Sequence, residues 1–420
     1  MTLFDVSNYP SPFPGPNNMK IATLCLVATV SLACLLSMSA GQSTEEDELT
    51  LPGARSIIQA ADYPSLQAAL DALPIAGGMV VLPPGSFEIT APLRIHTADT
   101  CIFGSGTATE IRNMNEEGLP AIIVDHPQAI ENRAENRLWR VRLTNFRVTG
   151  NEKSGPGIEA RFVNELLLDA VSVSYCGGDG VRLDHCYEDP RISSCLFTYN
   201  KGTGLNLIGC HDIIVSATQF EENQDALHCV DGFNLTMTGN TIDDHLGHGV
   251  VIENTYGSVV SGNMIEECAG TAIIIDRNCY GNTLSANVIA HNGAGIDIRD
   301  GHGLSISANT FTLMKTHALI VGPSSGRLAV TGNSFCNSYI GEGSIRRATD
   351  DMEAGGILLA DTSDISMSGN QFSSLTTPAI TLQGDSKRVV FSSNVLTDVR
   401  SGHAGLEGSV IESNLDSAAK

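Results

Sequence analysis

The chain has 420 residues, 42 of them glycine, with 5% aromatic and 17% charged residues and a formal net charge of −23. That length can bury a large core, and the composition is too apolar for disorder. No run of Lys and Arg is present to meet a phosphate backbone, which sets nucleic acid aside as a partner.

Residues 1–41 read as a non-mature N-terminus. Met19-Lys20 precedes a run of 20 residues without a charge, Ile21 to Ala40, and small residues near Ser37 to Gly41 precede the acids Glu45 to Glu48. This is the order of a secretory signal, with Met19 as the expected start and a mature chain beginning near residues 40–44. Such a run is also long enough to span a bilayer, so an uncleaved anchor is the alternative and the one route to a membrane. The expected location is secreted, periplasmic or in the cell envelope. Residues 42–55 form an acidic linker.

Next comes an N-terminal cap with the first coils, over 56–142. Leu66, Ala69, Leu70 and Leu73 share one helical face, and Pro74 ends the helix. Beyond the leader stand nine cysteines, an odd number without a CxxC pair. That pattern fits neither a zinc site nor a complete disulfide framework, and reads instead as buried small side chains.

The stretch 143–400 repeats. A small residue opens an apolar triplet at Gly157, Gly180, Gly204, Ala226, Gly249, Ala272, Gly295, Ala318, Gly356 and Ala379, at steps of 22–24 residues apart from one step of 38. The following positions alternate, as in Val250/Ile252 and Ile273/Ile275, so each repeat buries one face of a strand. A second column, Asn240, Asn263, Asn287, Asn309, Asn333, Asn370 and Asn394, predicts an asparagine ladder passing amide hydrogen bonds between repeats. Strands recurring at one short period stack in parallel on their own copies. The expected fold is all-β: a parallel β-helix of ten to eleven coils, three strands per coil, with a short capping helix. An insertion at 338–352 carries Arg346 and Arg347 and is placed to form a lip, and 401–420 is a tail.

The side chains two and four places after each small residue point outward. The first set is Glu159, Arg182, Asn206, His228, Val251, Ile274 and Asp297, and the second includes Asp184 and Glu253. Asp179, Asp225 and His248 stand at the strand entrance. Titratable groups concentrate between Asp179 and Glu253. Asp225, His228 and His248 are the catalytic candidates, because acid–base chemistry needs neighbouring groups that perturb one another. Asp179, Arg182, Asp184, Asn206, Glu253, Arg346 and Arg347 are the candidate binding residues. Asp or His before Gly also forms turns without catalysis. Asp189, Asp243 and Asp244 offer turn oxygens that calcium could use, as solvated loop charge would too; no residue is assigned as a metal ligand and no other cofactor is indicated.

These repeats, with the cap "SIIQAADYPSLQAALDALPIAGGMVVLPPGSFEITAPLRI", resemble the right-handed parallel β-helix superfamily of pectate lyases, polygalacturonases and alginate epimerases. The resemblance implies a right-handed coil and a polysaccharide partner bound along one sheet, with lyase, C5-epimerase or hydrolase activity. The alternative is a non-catalytic structural or surface protein. "NQDALHC" and "GHGVVIEN" match polygalacturonase motifs at Asp225 and His248. The match fails at Ala226, at Gly202-Thr203 and at Ile274 with Asp276, where that family carries Asp, Asp and a basic pair.

Overall fold

The computed structural model describes residues 51–128, 136–336, 355–402, 404 and 406–416. The expected signal segment and the insertion with Arg346 and Arg347 lie outside the described residues. From Gly53 onward the chain forms one unit.

Period-2 alternation and a one-residue turn together make the coil. In the strand Leu167–Ser174 the chain bends at Ala170, whose φ is 53°, and the same left-handed corner recurs at Ser194 and Ala217 between successive short strands. Each such corner swings the chain onto the next face. A face of twelve parallel strands results, running from Leu93–Ile95 to Ile380–Gln383, while the other two faces are built from the remaining strands. Pairing is one coil to the next, in register: Val250 faces Ile273 and Ile273 faces Ile296.

The interior is aliphatic and columnar. Val181, Leu205, Leu227, Val250, Ile273, Ile296, Leu319, Ile357 and Ile380 are fully buried, as the repeat predicts. Phe311, Phe335 and Phe372 stack with centroids 4.9 and 4.8 Å apart, the spacing between the coils themselves. At the N-terminal end the helix Leu66–Asp71 begins at Ser65, whose hydroxyl accepts from the Ala68 N–H at 3.1 Å, and it buries Leu66, Ala69 and Leu70.

Buried turns are satisfied by side chains. Asn263 Nδ2 donates to Asn287 Oδ1 at 3.0 Å, and such Asn–Asn bonds continue to Asn414. Thr218 occupies the column before Asn240, one place after the residue the repeat count predicts. A second column, absent from the sequence reading, stacks Asn200, Asn223 and His245 and then Cys268 on Asn292. The described cysteines are free thiols, and several do related work: Cys210 Sγ donates to the Leu183 carbonyl and Cys279 Sγ to that of Ile252. Burial pushes the Cys176, Cys195, Cys229 and Cys268 thiols up to about 12, so they are hydrogen-bond donors rather than nucleophiles.

The coil count differs from the expected ten to eleven. The solenoid makes about 14 turns. Strands Leu93–Ile95 and Ile122–Val124 belong to the twelve-stranded face, but the segments that join them and lead to Ile158 are longer than one repeat, which hides them from a count based on fixed steps.

Candidate functional site

The outward column exists as the alternation predicts. Ile123, Glu159, Arg182, Asn206, His228, Val251 and Ile274 are register partners on successive coils of the twelve-stranded face. Ile123 is 4% exposed and Ile274 is 2% exposed, so the stretch from Glu159 to His228 is a polar run between two buried isoleucines.

Within it, Arg182 stands apart. Its guanidinium makes no hydrogen bond or ion pair among the described residues, and its Nε is buried without a partner. Next to it in register, Asn206 donates its amide to Asp179 Oδ2 at 2.9 Å, while its own Oδ1 is also buried without a partner. Asp184 is engaged with the neighbouring His185 ring instead.

His228 lies one coil beyond Asn206. Its Nε2 is 3.1 Å from Glu253 Oε2. An ionised carboxylate can only accept, so a neutral His228 ring carries its proton on Nε2 and its lone pair on Nδ1. Glu253 also accepts from Arg277 Nη1 at 3.4 Å, and Arg277 lies 3.7 Å from Asp231. Arg277 was not among the sequence candidates. It follows the strand in a left-handed corner with φ of 56°, just outside the alternating positions that single out outward side chains.

The entrance column is differently employed. Asp179 Oδ1 accepts the Thr203 N–H, Asp225 Oδ1 accepts the His248 N–H, and His248 Nδ1 accepts the Thr271 N–H at 2.9 Å. Each of the three therefore ties its turn to the next coil. Asp225 does not orient the His228 ring; that partner is Glu253. With Nδ1 accepting, the neutral His248 ring carries its proton on Nε2.

Two further arrays flank this face. At the corner after the outward column, Tyr187, His211, Phe233, Tyr256, Tyr280 and His302 form a run of rings, with successive centroids 4.1–5.9 Å apart. Arg137 covers the face of Tyr187 at 3.9 Å. At another corner, acidic pairs recur on three coils as Glu221-Glu222, Asp243-Asp244 and Glu266-Glu267, a pattern visible in the sequence at the repeat step. Ligand atoms of Asp243, Asp244 and Glu267, and of Glu266, Glu267 and His291, lie within 4.8 Å of one another. Burial, followed by the charges of Asp244 and Glu266, raises the Asp243 carboxyl. His245 contributes nothing to this corner: it is 1% exposed and sits in the interior asparagine column.

A family model described as "Right handed beta helix region" matches residues 103–245 and 179–335. No curated protein sequence matches the chain. Among solved structures, the chain is similar to the A-module of a mannuronan C-5 epimerase from Azotobacter vinelandii, with 13% identity and a TM-score of 0.54 over 86% of this chain and 100% of that one. It is also similar to gene product 12 of bacteriophage phi29, with 11% identity and a TM-score of 0.65 over 82% of this chain and 53% of that one. A third similar structure is the tailspike of E. coli bacteriophage HK620, solved with a pentasaccharide, at 12% identity and a TM-score of 0.53 over 79% of this chain and 62% of that one. The chain thus spans only half to two-thirds of these phage proteins. At such identities the likeness is one of fold.

Proposed function

Since the chain belongs to the right-handed β-helix family, we propose that it binds a polysaccharide along the outer face of the twelve-stranded sheet, across the coils of Glu159 to Glu253. The observation that carries this reading is Arg182. In a chain of net charge −23, a guanidinium with no partner of its own faces outward beside Asn206 and in register with His228. Coils stack about 4.8 Å apart, so Arg182 and His228 lie roughly 9.6 Å apart along the column, a span for one sugar unit between two polar anchors. The neighbours add a weaker support: one is named for acting on mannuronan and one holds a pentasaccharide.

A second reading, proton transfer to and from the bound glycan, is favoured by the two imidazoles. His228 offers a lone pair at Nδ1 while Glu253 holds the Nε2 proton, and His248 offers an Nε2 proton while its Nδ1 is occupied. A base of one kind and a donor of the other on adjacent coils is what a lyase or C5-epimerase requires: His228 takes the proton beside the sugar carboxylate and His248 supplies one to the leaving oxygen or the opposite face.

The test is a screen of purified protein against uronate and neutral glycans, scored for both binding and product. Binding without product supports the first reading alone. Product that disappears in His228→Asn and falls in Glu253→Gln, with binding retained, supports the second. No binding to any glycan overturns both.

A further inference from the structure

The aromatic run ends at His302 for a structural reason. Its register partner on the next coil is Gly326, and a Cβ at Gly326 would stand 2.6 Å from the Ser363 carbonyl oxygen. No ring can follow there, because the backbone of the following coil already occupies the space. What remains beside His302 is an open cavity of about 400 Å³, lined also by Pro323, Ser324, Arg327, Ser363 and Asp364. That size lies within the range of small-molecule sites.

The lining is chemically uneven. Asp364 is committed, since Arg388 donates to both of its oxygens at 2.6 and 2.8 Å and Ser363 donates to one at 2.9 Å. Arg327 is exposed and makes no hydrogen bond or close ion pair among the described residues, and its charge reaches Asp364 only at longer range. His302 closes the ring column with Tyr280 on one side, at 5.6 Å, and its Nδ1 is buried without a partner. The cavity therefore offers an aromatic wall, a spare guanidinium and a carboxylate already neutralised by another arginine.

We propose that this cavity is a binding site for an acidic sugar, with the pyranose ring against His302 as the next member of the stack and its acid group on Arg327. A pyranose chair with an apolar C–H face fills a gap that the column itself cannot, and an anion pairs with the guanidinium of the lining that no carboxylate hydrogen-bonds. The site is separate from the outer-face groove and does not depend on it.

The test uses sodium glucuronate and methyl glucoside as probes, followed by saturation-transfer NMR on the full chain. Glucuronate should bind at least tenfold more tightly than the neutral sugar. Arg327→Ala should abolish that preference, and Ser324→Trp, which fills the cavity, should abolish binding of both. Arg191→Ala, at an exposed arginine outside this cavity, should change neither. Absence of glucuronate binding, binding that survives both cavity variants, or loss through Arg191→Ala each overturns the assignment. Arg327 is exposed, so its variant remains informative where Ser324→Trp does not fold. Glucuronate binding here with no polysaccharide binding on the outer face would leave this inference standing and remove the proposed function.

Discussion

Asp225 and His248 show how one residue type at one position can serve either a turn or a reaction. Each accepts a backbone N–H from the next coil, so each removes an orphan donor that a half-buried turn would otherwise leave. Asp225→Ala should therefore lower stability by about 1–3 kcal/mol, the cost of an unsatisfied donor, whereas Asp225→Asn keeps an acceptor oxygen and should cost less. Denaturant midpoints of the two variants give the comparison, and equal stability of both with the wild type would show that the bond contributes nothing. The position of these side chains was legible from the small residue that follows them. Their partners were not, because Asp or His before a small residue reads the same in a catalytic column and in a capped turn.

His245 gives the molecule a pH dependence with a definite sign. It stands where its neighbours in the column are Asn223 and Cys268, is almost wholly buried, and has its pKa lowered to about 4, chiefly by desolvation. The unfolded chain protonates this ring near pH 6.5 and the folded one only near 4, so its contribution is intact above pH 6.5, is lost as pH falls through that interval, and levels off below it. The loss is on the order of 3 kcal/mol. His245→Asn, which restores the residue type of the column, should remove that slope; parallel melts at pH 7 and pH 4.5 that show the same loss in both proteins would refute the assignment.

At the level of elements, the strands owe their precision to columns rather than to any one contact. Asn287 Oδ1 accepts from both the backbone and the side chain of Asn263, and its Nδ2 donates to the Val260 carbonyl and to Asn309. Asn287→Ala removes partners from both flanking coils at once and should cost more than about 3 kcal/mol, beyond a single lost hydrogen bond. Ile273→Asp, which buries an unpaired charge among Val250, Ile275 and Ile296, should prevent folding. The Asn240–Asn394 column was legible because a short polar or small pair precedes each Asn and, apart from the insertion, the Asn positions keep the repeat step. The Asn200, Asn223 and Asn292 column was not, because His245 and Cys268 interrupt its residue type while its geometry continues.

For the whole molecule, a single sequence repeat produces several different surfaces from one backbone. Inward positions give the aliphatic core, corners give the ring column and the stacked acids, and outward positions give the polar run from Glu159 to His228. The alternation revealed which face is outward; charge pairing, which leaves Arg182 and Arg327 spare while Arg277 and Arg388 are committed, depends on contacts between coils that no sequence spacing displays.

The most direct test of glycan binding at the outer face is an affinity comparison by isothermal titration, using the polysaccharide that binds in the screen. Wild type, Arg182→Ala and Arg191→Ala are compared; Arg191 is an exposed arginine that begins a strand of a different face. A charged hydrogen bond lost from the site predicts at least roughly tenfold weaker binding for Arg182→Ala. Arg191→Ala should bind as the wild type does. Unchanged affinity in Arg182→Ala, or an equal loss in both variants, would contradict binding at the twelve-stranded face.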